Sequence, residues 1–291
     1  MKKSADYTMY EEPLGLVSGV QTQLPVVLSE YRFYDKEDVE VYLALVRQTE
    51  EYFEEIMIFE KKKAEMGLFM PDQAVETVIG QCRAFLEMGN GNYLYSTFAD
   101  RVMELNTLTE KEKSDYIQEN ALAISDYVFP AYERMTEELE QLKGSGKNGK
   151  RSCIIFRRGK EYYELLARQS TGSRRSVEEL KDLTRRQINE DLTAMEQVLG
   201  LTTKEAKEAA AVITDKKAEQ ILEQLKEGSK TAFPEPPQTK LEVKYVPEAM
   251  EEHLSPAFYM IPAIDNSQQN VIYINRARMG NDMTLFYDTC S

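Results

Sequence analysis

A proline-rich stretch divides this chain into two parts of different character. Residues 233–237 read Phe-Pro-Glu-Pro-Pro, and prolines this close together forbid a helix and favour an extended backbone. Before this stretch, apolar residues recur at helical spacing, whereas after it apolar and polar residues alternate as in a strand. The sequence therefore predicts a helical region over residues 1–232 and a small sheet region over residues 233–291. The predicted fold class is mainly α, with a small antiparallel or mixed β-sheet near the C-terminus.

Apolar stripes predict the first helices. Residues 38–66 carry one long stripe, which predicts a single helix that ends at Gly67. Residues 72–86 carry a second stripe that follows Pro71, a residue suited to the first turn of a helix. A short helix is predicted over residues 96–105.

Capping patterns predict two further helices. Thr109 and Ser176 are each followed three residues later by a glutamate, which is the capping-box pattern. The first box opens a helix over residues 110–142, and the second opens one that runs to about residue 199, where Gly200 closes it. Pro130 lies inside the helix over 110–142 and predicts a kink or a break there, because proline removes a backbone donor and clashes with the preceding turn.

The last sixty residues read as strands. Residues 241–245 alternate between apolar and charged side chains, as expected for a half-buried strand. Residues 258–264 and 271–275 flank a polar stretch that fits a hairpin loop. Residues 282–291 read as a helix that is just starting when the sequence stops.

Composition excludes several functions. The formal net charge is −14 and the pI is about 4.8, so binding to a phosphate backbone is not expected, since lysine and arginine drive it. No run of about 18 apolar residues is present, which predicts no membrane span. The three cysteines are far apart and match neither a disulfide framework nor a zinc site. As written, the sequence predicts a cytoplasmic protein, and the location of a longer parent protein stays open.

Motifs for chemistry are weak. Residues 144–150 have the form G-x-G-x-x-G-K, but they follow a predicted helix rather than a strand, and Arg151 follows them where a phosphate loop has serine or threonine. A loop between helices is therefore favoured over a phosphate site. Runs of glutamate, at residues 50–55 and 137–140, fit solvated helix faces. His253 is the only histidine, and a catalytic zinc site or a triad usually needs more. No catalytic residue, no metal ligand and no cofactor are therefore expected in this chain.

A set of short motifs, in order, resembles a known family. The motifs lie at residues 19–25, 30–33, 38–43, 67–71, 129–132, 159–166, 176–180, 258–263 and 273–275. Together they resemble the bacterial domain-of-unknown-function family numbered 885, whose members look like zinc-dependent peptidases of the zincin class.

The resemblance implies a partial zincin-like fold and, in the intact family protein, a bound zinc ion and a peptide substrate. The family's His-Glu-x-x-His motif would be expected a few residues after Ser291. This chain is accordingly interpreted as an internal fragment that forms part of the substrate cleft without the catalytic half. Tyr259 and Asn275 are the substrate-cleft candidates, because the strands that carry them would lie near the zinc helix.

Two expectations depend on this interpretation. If the zinc helix is missing, the apolar sheet faces around Ile261, Ile272, Ile274, Leu285 and Phe286 should be partly uncovered and should favour self-association. The alternative function is a helical protein-interaction or scaffold protein with no enzymatic activity, which the long acidic helices also fit. A reading frame that continues into His-Glu-x-x-His would favour the peptidase, and a true stop would favour the scaffold.

Overall fold

The chain is mainly helical, with a small sheet near the C-terminus. The computed structural model describes residues 6–16, 19–146, 155–201, 218–230, 240–246, 251, 257–260 and 269–278. Two compact units are present, Met1–Lys181 and Asp182–Ser291. The compositional division at residue 232 stays a prediction. No helix in the described parts is long and apolar enough to cross a bilayer.

Helices make up most of the described residues. In chain order they are α1 (Val20–Glu30), α2 (Lys36–Arg47), α3 (Thr49–Met66), α4 (Asp72–Glu87), α5 (Tyr93–Glu104), α6 (Glu110–Ala123), α7 (Phe129–Leu142), α8 (Gly159–Thr171), α9 (Val177–Leu201) and α10 (Ala218–Ser229). Short 3-10 turns precede α1, at Thr8–Tyr10, and follow α4, at Gly89–Gly91.

The prediction of a single helix over residues 38–66 is wrong, because two helices occupy this segment. α2 ends at Arg47 and α3 begins at Thr49, with Gln48 between them at ψ −7°. The apolar stripe continues through this junction, and no glycine or proline marks it. α2 also begins earlier than predicted, at a capping box in which Asp35 accepts two backbone N–H groups. The predicted end at Gly67 is confirmed, since Gly67 adopts a left-handed φ of 71°.

The interruption predicted at Pro130 is confirmed. A π-helical turn, Ile124–Val128, separates α6 from α7, and Pro130 lies in the first turn of α7. The N–H of Phe129 donates to the carbonyl of Ile124, five residues back. A regular α-helical turn would press the proline ring against the carbonyl of Asp126, and the wider turn relieves that clash.

Both predicted capping boxes are confirmed. The Thr109 hydroxyl accepts from the N–H of Glu112, whose carboxylate accepts from the N–H of Thr109. Ser176 and Glu179 form the same reciprocal pair at the start of α9. α9 continues through Gly200 and ends at Leu201, two residues beyond its predicted end at about residue 199.

Tyr132 on α7 lies at the centre of the core of the first unit. Its ring stacks on Phe85 of α4, with ring centroids 4.3 Å apart, and meets Phe53 of α3 edge-on at 4.9 Å. Its hydroxyl donates to the carbonyl of Gln21 in α1 at 2.7 Å. That carbonyl has no α-helical donor, because the residue four positions on is Pro25. Tyr132 therefore supplies the hydrogen bond that Pro25 cannot.

The second unit contains a mixed three-stranded sheet. Its strands are β1 (Lys240–Tyr245), β2 (Ala257–Met260) and β3 (Gln269–Ile274), in the order β1-β3-β2. β3 pairs in parallel with β1 and antiparallel with β2. The antiparallel pairing predicted for the last two strands is confirmed. His253 and the predicted segments 261–264 and 282–291 lie outside the described residues.

Candidate functional site

Tyr259, the first predicted cleft residue, lies on the outer strand of the described sheet. It is opposite Ile272 in the register of β2 against β3, and its side chain is 49% exposed. Its hydroxyl donates to the side-chain oxygen of Asn270 on the neighbouring strand. About half of Tyr259 is therefore accessible at the sheet edge, while its hydroxyl is held in place.

Asn275, the second predicted cleft residue, is fully buried at the end of β3. Its side-chain NH2 donates to the carbonyl of Glu251 at 2.6 Å, and its side-chain oxygen accepts from the N–H of Ala277 at 3.1 Å. The amide thus fixes the turn that leaves the strand. Asn275 follows Ile274, which pairs with Ala257, whereas Tyr259 pairs with Ile272. The two candidate residues are therefore not opposite each other in the sheet.

The sheet is better covered than the sequence predicts. Ile274 is fully buried, in contact with Ile221 of α10, and Ile272 packs against the same pair. The expectation of a partly uncovered face is therefore wrong for Ile274, which α10 covers, whereas Ile272 is only partly buried. The other predicted patch residues, Ile261, Leu285 and Phe286, lie outside the described residues. Self-association stays a prediction.

The described residues do not fit a zinc site. Among them, no three His, Cys, Asp or Glu side chains are grouped closely enough to hold a metal ion. Cys82 lies buried on α4, its thiol donating to the sulfur of Met135 at 3.9 Å. Burial raises the pKa of this thiol to about 12, so it stays protonated and unreactive at neutral pH.

The glycine-rich stretch serves as a connector where it is described. The N–H of Gly144 donates to the carboxylate of Asp72 at 2.8 Å, at the start of α4. Gly146 lies so close to the carbonyl of Met70 that a Cβ would come within 2.4 Å of the oxygen. Both contacts fasten the loop to the protein. The left-handed φ of 81° at Gly144 and the close approach at Gly146 explain these two glycines without a phosphate. Residues 147–150 lie outside the described chain.

A buried ion pair on α3 has no counterpart in the sequence analysis. Glu60 and Lys63 are both fully buried. The ammonium group of Lys63 donates to the carbonyl of Glu11 at 2.8 Å, to the carboxylate of Glu12 at 3.1 Å and to Glu60 at 3.3 Å. All three of its N–H donors are therefore used. A Glu-x-x-Lys spacing predicts a helical ion pair but not its burial.

Burial dominates the electrostatics of this pair. The loss of solvent raises the pKa of Glu60 to about 7, although the charge of Lys63 acts in the opposite direction and Glu12 adds to the rise. Lys63 also ties the N-terminal segment at Glu11 and Glu12 to the side of α3. The buried ammonium group of Lys63 thus helps to position the N-terminal segment.

A groove runs along one side of α3. Its first recess, of about 420 Å³, lies between α1, the end of α2 and the first two turns of α3. The lining residues are Leu24, Val27, Leu28, Tyr31, Leu45, Gln48, Thr49, Glu51, Tyr52 and Glu55. A second recess, of about 410 Å³, lies between α3 and the N-terminal segment. Its lining residues are Glu11, Glu12, Pro13, Tyr52, Glu55, Ile56 and Phe59.

The two recesses share Tyr52 and Glu55 and so lie next to each other along α3; together we call them the α3 groove. Glutamate supplies every charged side chain that lines it. In the part of the chain described, Glu51 and Glu55 make no ion pair, whereas their neighbour Glu50 pairs with Arg134 at 2.6 Å. The groove is therefore lined mainly by apolar surface, and the only charged side chains in its lining are negative.

Thr49 is the one buried polar side chain in this lining. It is 2% exposed, and its hydroxyl has no hydrogen-bond partner within the described residues. A buried hydroxyl without a partner costs roughly 1–3 kcal/mol. Sequence analysis missed the groove because α1, α2, α3 and the N-terminal segment each contribute only a few of its residues.

Fold and groove together define a mainly helical protein with a small mixed sheet and an acidic, partly apolar groove. The chain belongs to the family described as bacterial protein of unknown function (DUF885), whose sequence profile matches residues 2–287. In fold it is similar to the crystal structure of the "putative lipoprotein from Colwellia psychrerythraea", with a TM-score of 0.80 and 17% sequence identity.

The structural match covers 95% of this chain and 51% of the Colwellia protein. The chain therefore spans about half the length of that protein. Comparison with curated protein sequences gives no significant match. At 17% identity the likeness establishes the fold, and the function has to be argued from the residues themselves.

Proposed function

We propose that this chain is the non-catalytic, cleft-forming part of a zincin-like, zinc-dependent peptidase, and that the intact protein hydrolyses peptides. The ordered motifs described above support the assignment to this class. The single observation that carries the binding role is that β2 is an outer strand of the sheet and carries the exposed side chain of Tyr259.

An outer strand is a natural binding site for an extended peptide. Its outward N–H and C=O groups have no partner strand in the described sheet, and a peptide that adds as a further strand pairs with them. Tyr259 then offers an aromatic surface to one peptide side chain, while its hydroxyl stays bonded to Asn270. Asn275 acts indirectly, because it holds the end of β3 in place.

Zinc belongs to the intact family protein in this proposal. In that class a bound zinc ion lowers the pKa of a water molecule and polarises the peptide carbonyl. The side chains described here offer no ligand set for it. The contribution of this chain is therefore to bind and orient the peptide.

Peptide binding tests the proposal directly. Fluorescence anisotropy with labelled peptides of extended, β-prone sequence should show binding to the full chain, weakened at least fivefold by Tyr259→Ala. Leu241→Ala is the matched control, because Leu241 is 47% exposed on the opposite outer strand. Equal effects of the two substitutions, or an absence of binding, would refute the role of β2.

Metal content tests the non-catalytic part separately. The purified chain should contain no stoichiometric zinc and should cleave no peptide. One zinc ion per chain together with hydrolysis that a chelator abolishes would show that the chain is itself an enzyme.

A further inference from the structure

The α3 groove has the dimensions of a site for a short peptide segment. Its lining on α3 extends from Thr49 to Phe59, which is about 15 Å at 1.5 Å per residue. An extended peptide of about five residues has that length. Three apolar side chains of the first recess, Val27, Leu45 and Tyr52, are 55%, 42% and 44% exposed. They give a ligand apolar surface to cover.

The negative charges of the groove favour a positively charged ligand. Glu51 and Glu55 lie four residues apart on the same face of α3, where like charges repel. Neither makes an ion pair within the described residues, and no lysine, arginine or histidine lines either recess. A lysine or arginine side chain placed between them would offset this repulsion.

Thr49 is an independent observation that points to a ligand. Its unpartnered hydroxyl belongs to a residue only 2% exposed that lines the first recess. Buried hydroxyls in folded proteins nearly always have a partner. The hydroxyl oxygen is enclosed in the unliganded chain, so a backbone N–H or C=O of a bound segment would reach it after a rotation of the Thr49 side chain.

We propose that the α3 groove binds a peptide segment that combines apolar side chains with at least one lysine or arginine. A second copy of this chain is a poor occupant, because the chain carries a net charge of −14 and the groove is itself acidic. The proposal does not depend on the peptidase assignment, since every lining residue belongs to Met1–Lys181 whereas Tyr259 belongs to the other unit.

Anisotropy with matched peptides tests the charge requirement. The probes are three labelled ten-residue peptides in which leucine alternates with arginine, with glutamine or with glutamate. The full chain should bind the arginine peptide at least tenfold more tightly than the glutamine peptide, and should not bind the glutamate peptide. Equal binding of the arginine and glutamine peptides would overturn the proposal, as would an absence of binding to all three.

A pair of double variants locates the site and excludes general attraction to an acidic protein. Glu51→Gln with Glu55→Gln should weaken the arginine peptide at least tenfold. Glu54→Gln with Glu65→Gln removes the same charge from exposed positions of α3 that do not line the groove and should change affinity less than twofold. Equal losses in the two variants would overturn the proposal.

Sedimentation velocity on the unliganded chain tests the rival occupant. The Glu51→Gln with Glu55→Gln variant should sediment as the wild-type chain does. If the groove holds a second copy, this variant changes the dimer fraction, and the peptide proposal is overturned.

Discussion

The burial of Glu60 changes the pH at which its carboxyl group releases its proton. Its carboxyl group is fully buried beside Lys63 and beneath the N-terminal segment. Burial raises its pKa to about 7, despite the nearby ammonium group. The folded chain therefore holds this proton over a pH range in which the unfolded chain has already released it.

The pH dependence of stability should reveal this group. Between about pH 4.5 and pH 7 the folded state binds more protons at Glu60 than the unfolded state, so its contribution to the free energy of unfolding falls as pH rises through that window. Relative to the Glu60→Gln variant, wild-type protein should lose about 3 kcal/mol between these pH values, at 1.36 kcal/mol per pKa unit. Urea unfolding of both proteins from pH 4.5 to pH 8 measures the difference.

Glu54→Gln is the control for this experiment, because Glu54 is exposed on the same helix. Its stability should follow the wild-type profile across the whole range. Parallel profiles for wild type and Glu60→Gln would instead show that Glu60 titrates in the folded state as it does in the unfolded chain.

Residue patterns in the sequence predict local features well and spatial ones poorly. The hydrogen bonds of Thr109 and Ser176 could be predicted because the donor and the acceptor lie three residues apart. The burial of Lys63 could not, since its partners Glu11 and Glu12 lie more than fifty residues away. Distance along the chain, more than residue type, decides what the sequence reveals.

At the scale of elements, α1 depends on a residue from another helix. Pro25 deprives the Gln21 carbonyl of its helical donor, and the hydroxyl of Tyr132 on α7 replaces it at 2.7 Å. Burial raises the pKa of Tyr132 well above its ordinary value, so the hydroxyl stays protonated and able to donate. A proline that would weaken an isolated helix is thus accommodated by packing.

A double-mutant cycle should expose this coupling. Tyr132→Phe should destabilise the chain by about 1–3 kcal/mol, because it leaves the Gln21 carbonyl buried without a partner. In a Pro25→Ala background the same change should cost clearly less, since the N–H of the new alanine can donate to that carbonyl. Urea unfolding of the four proteins gives the coupling energy, and strict additivity would contradict the exchange of donors.

Element boundaries show why sequence reasoning failed at one helix and succeeded at another. Pro130 disrupts an α-helical turn through its ring, so the sequence itself marks the interruption between α6 and α7. At Gln48 no glycine or proline signals the break between α2 and α3. The apolar stripe of residues 38–66 is shared by α2 and α3, and the break between them depends on how each helix packs against the rest of the unit.

At the scale of the whole molecule, the fold class follows from composition and periodicity, but the candidate site does not. Alternation of apolar and charged residues predicted β1, and the polar stretch between the last two strands predicted the antiparallel pairing of β2 with β3. The parallel pairing of β1 with β3 was not predicted, because it joins strands that are not consecutive. The α3 groove was missed for the same reason, since it requires the relative placement of four segments.

The net charge of −14 makes stability depend on salt. Mutual repulsion opposes a compact acidic chain, and raising NaCl from 10 mM to 100 mM shortens the screening length from about 30 Å to about 10 Å. We expect the melting temperature at pH 8 to rise by about 2 °C, equivalent to roughly 1 kcal/mol for a chain of this size.

Differential scanning calorimetry at two pH values checks the origin of this effect. Near pH 5, close to the pI of about 4.8, the rise should disappear because the net charge is small. A melting temperature that falls with salt at pH 8 would show that exposed ion pairs stabilise the fold more than net repulsion opposes it.

The N-terminal segment contacts a helix that follows it by some 150 residues. The Tyr7 hydroxyl donates to the carboxylate of Glu161 at 2.9 Å, across a separation of 154 positions, and Arg158 donates to the same hydroxyl at 2.8 Å. During synthesis at 5–20 residues per second, α8 is made roughly 8 to 30 s after Tyr7. During that interval the N-terminal segment cannot make its contacts with α8. It is then accessible to chaperones and to proteases.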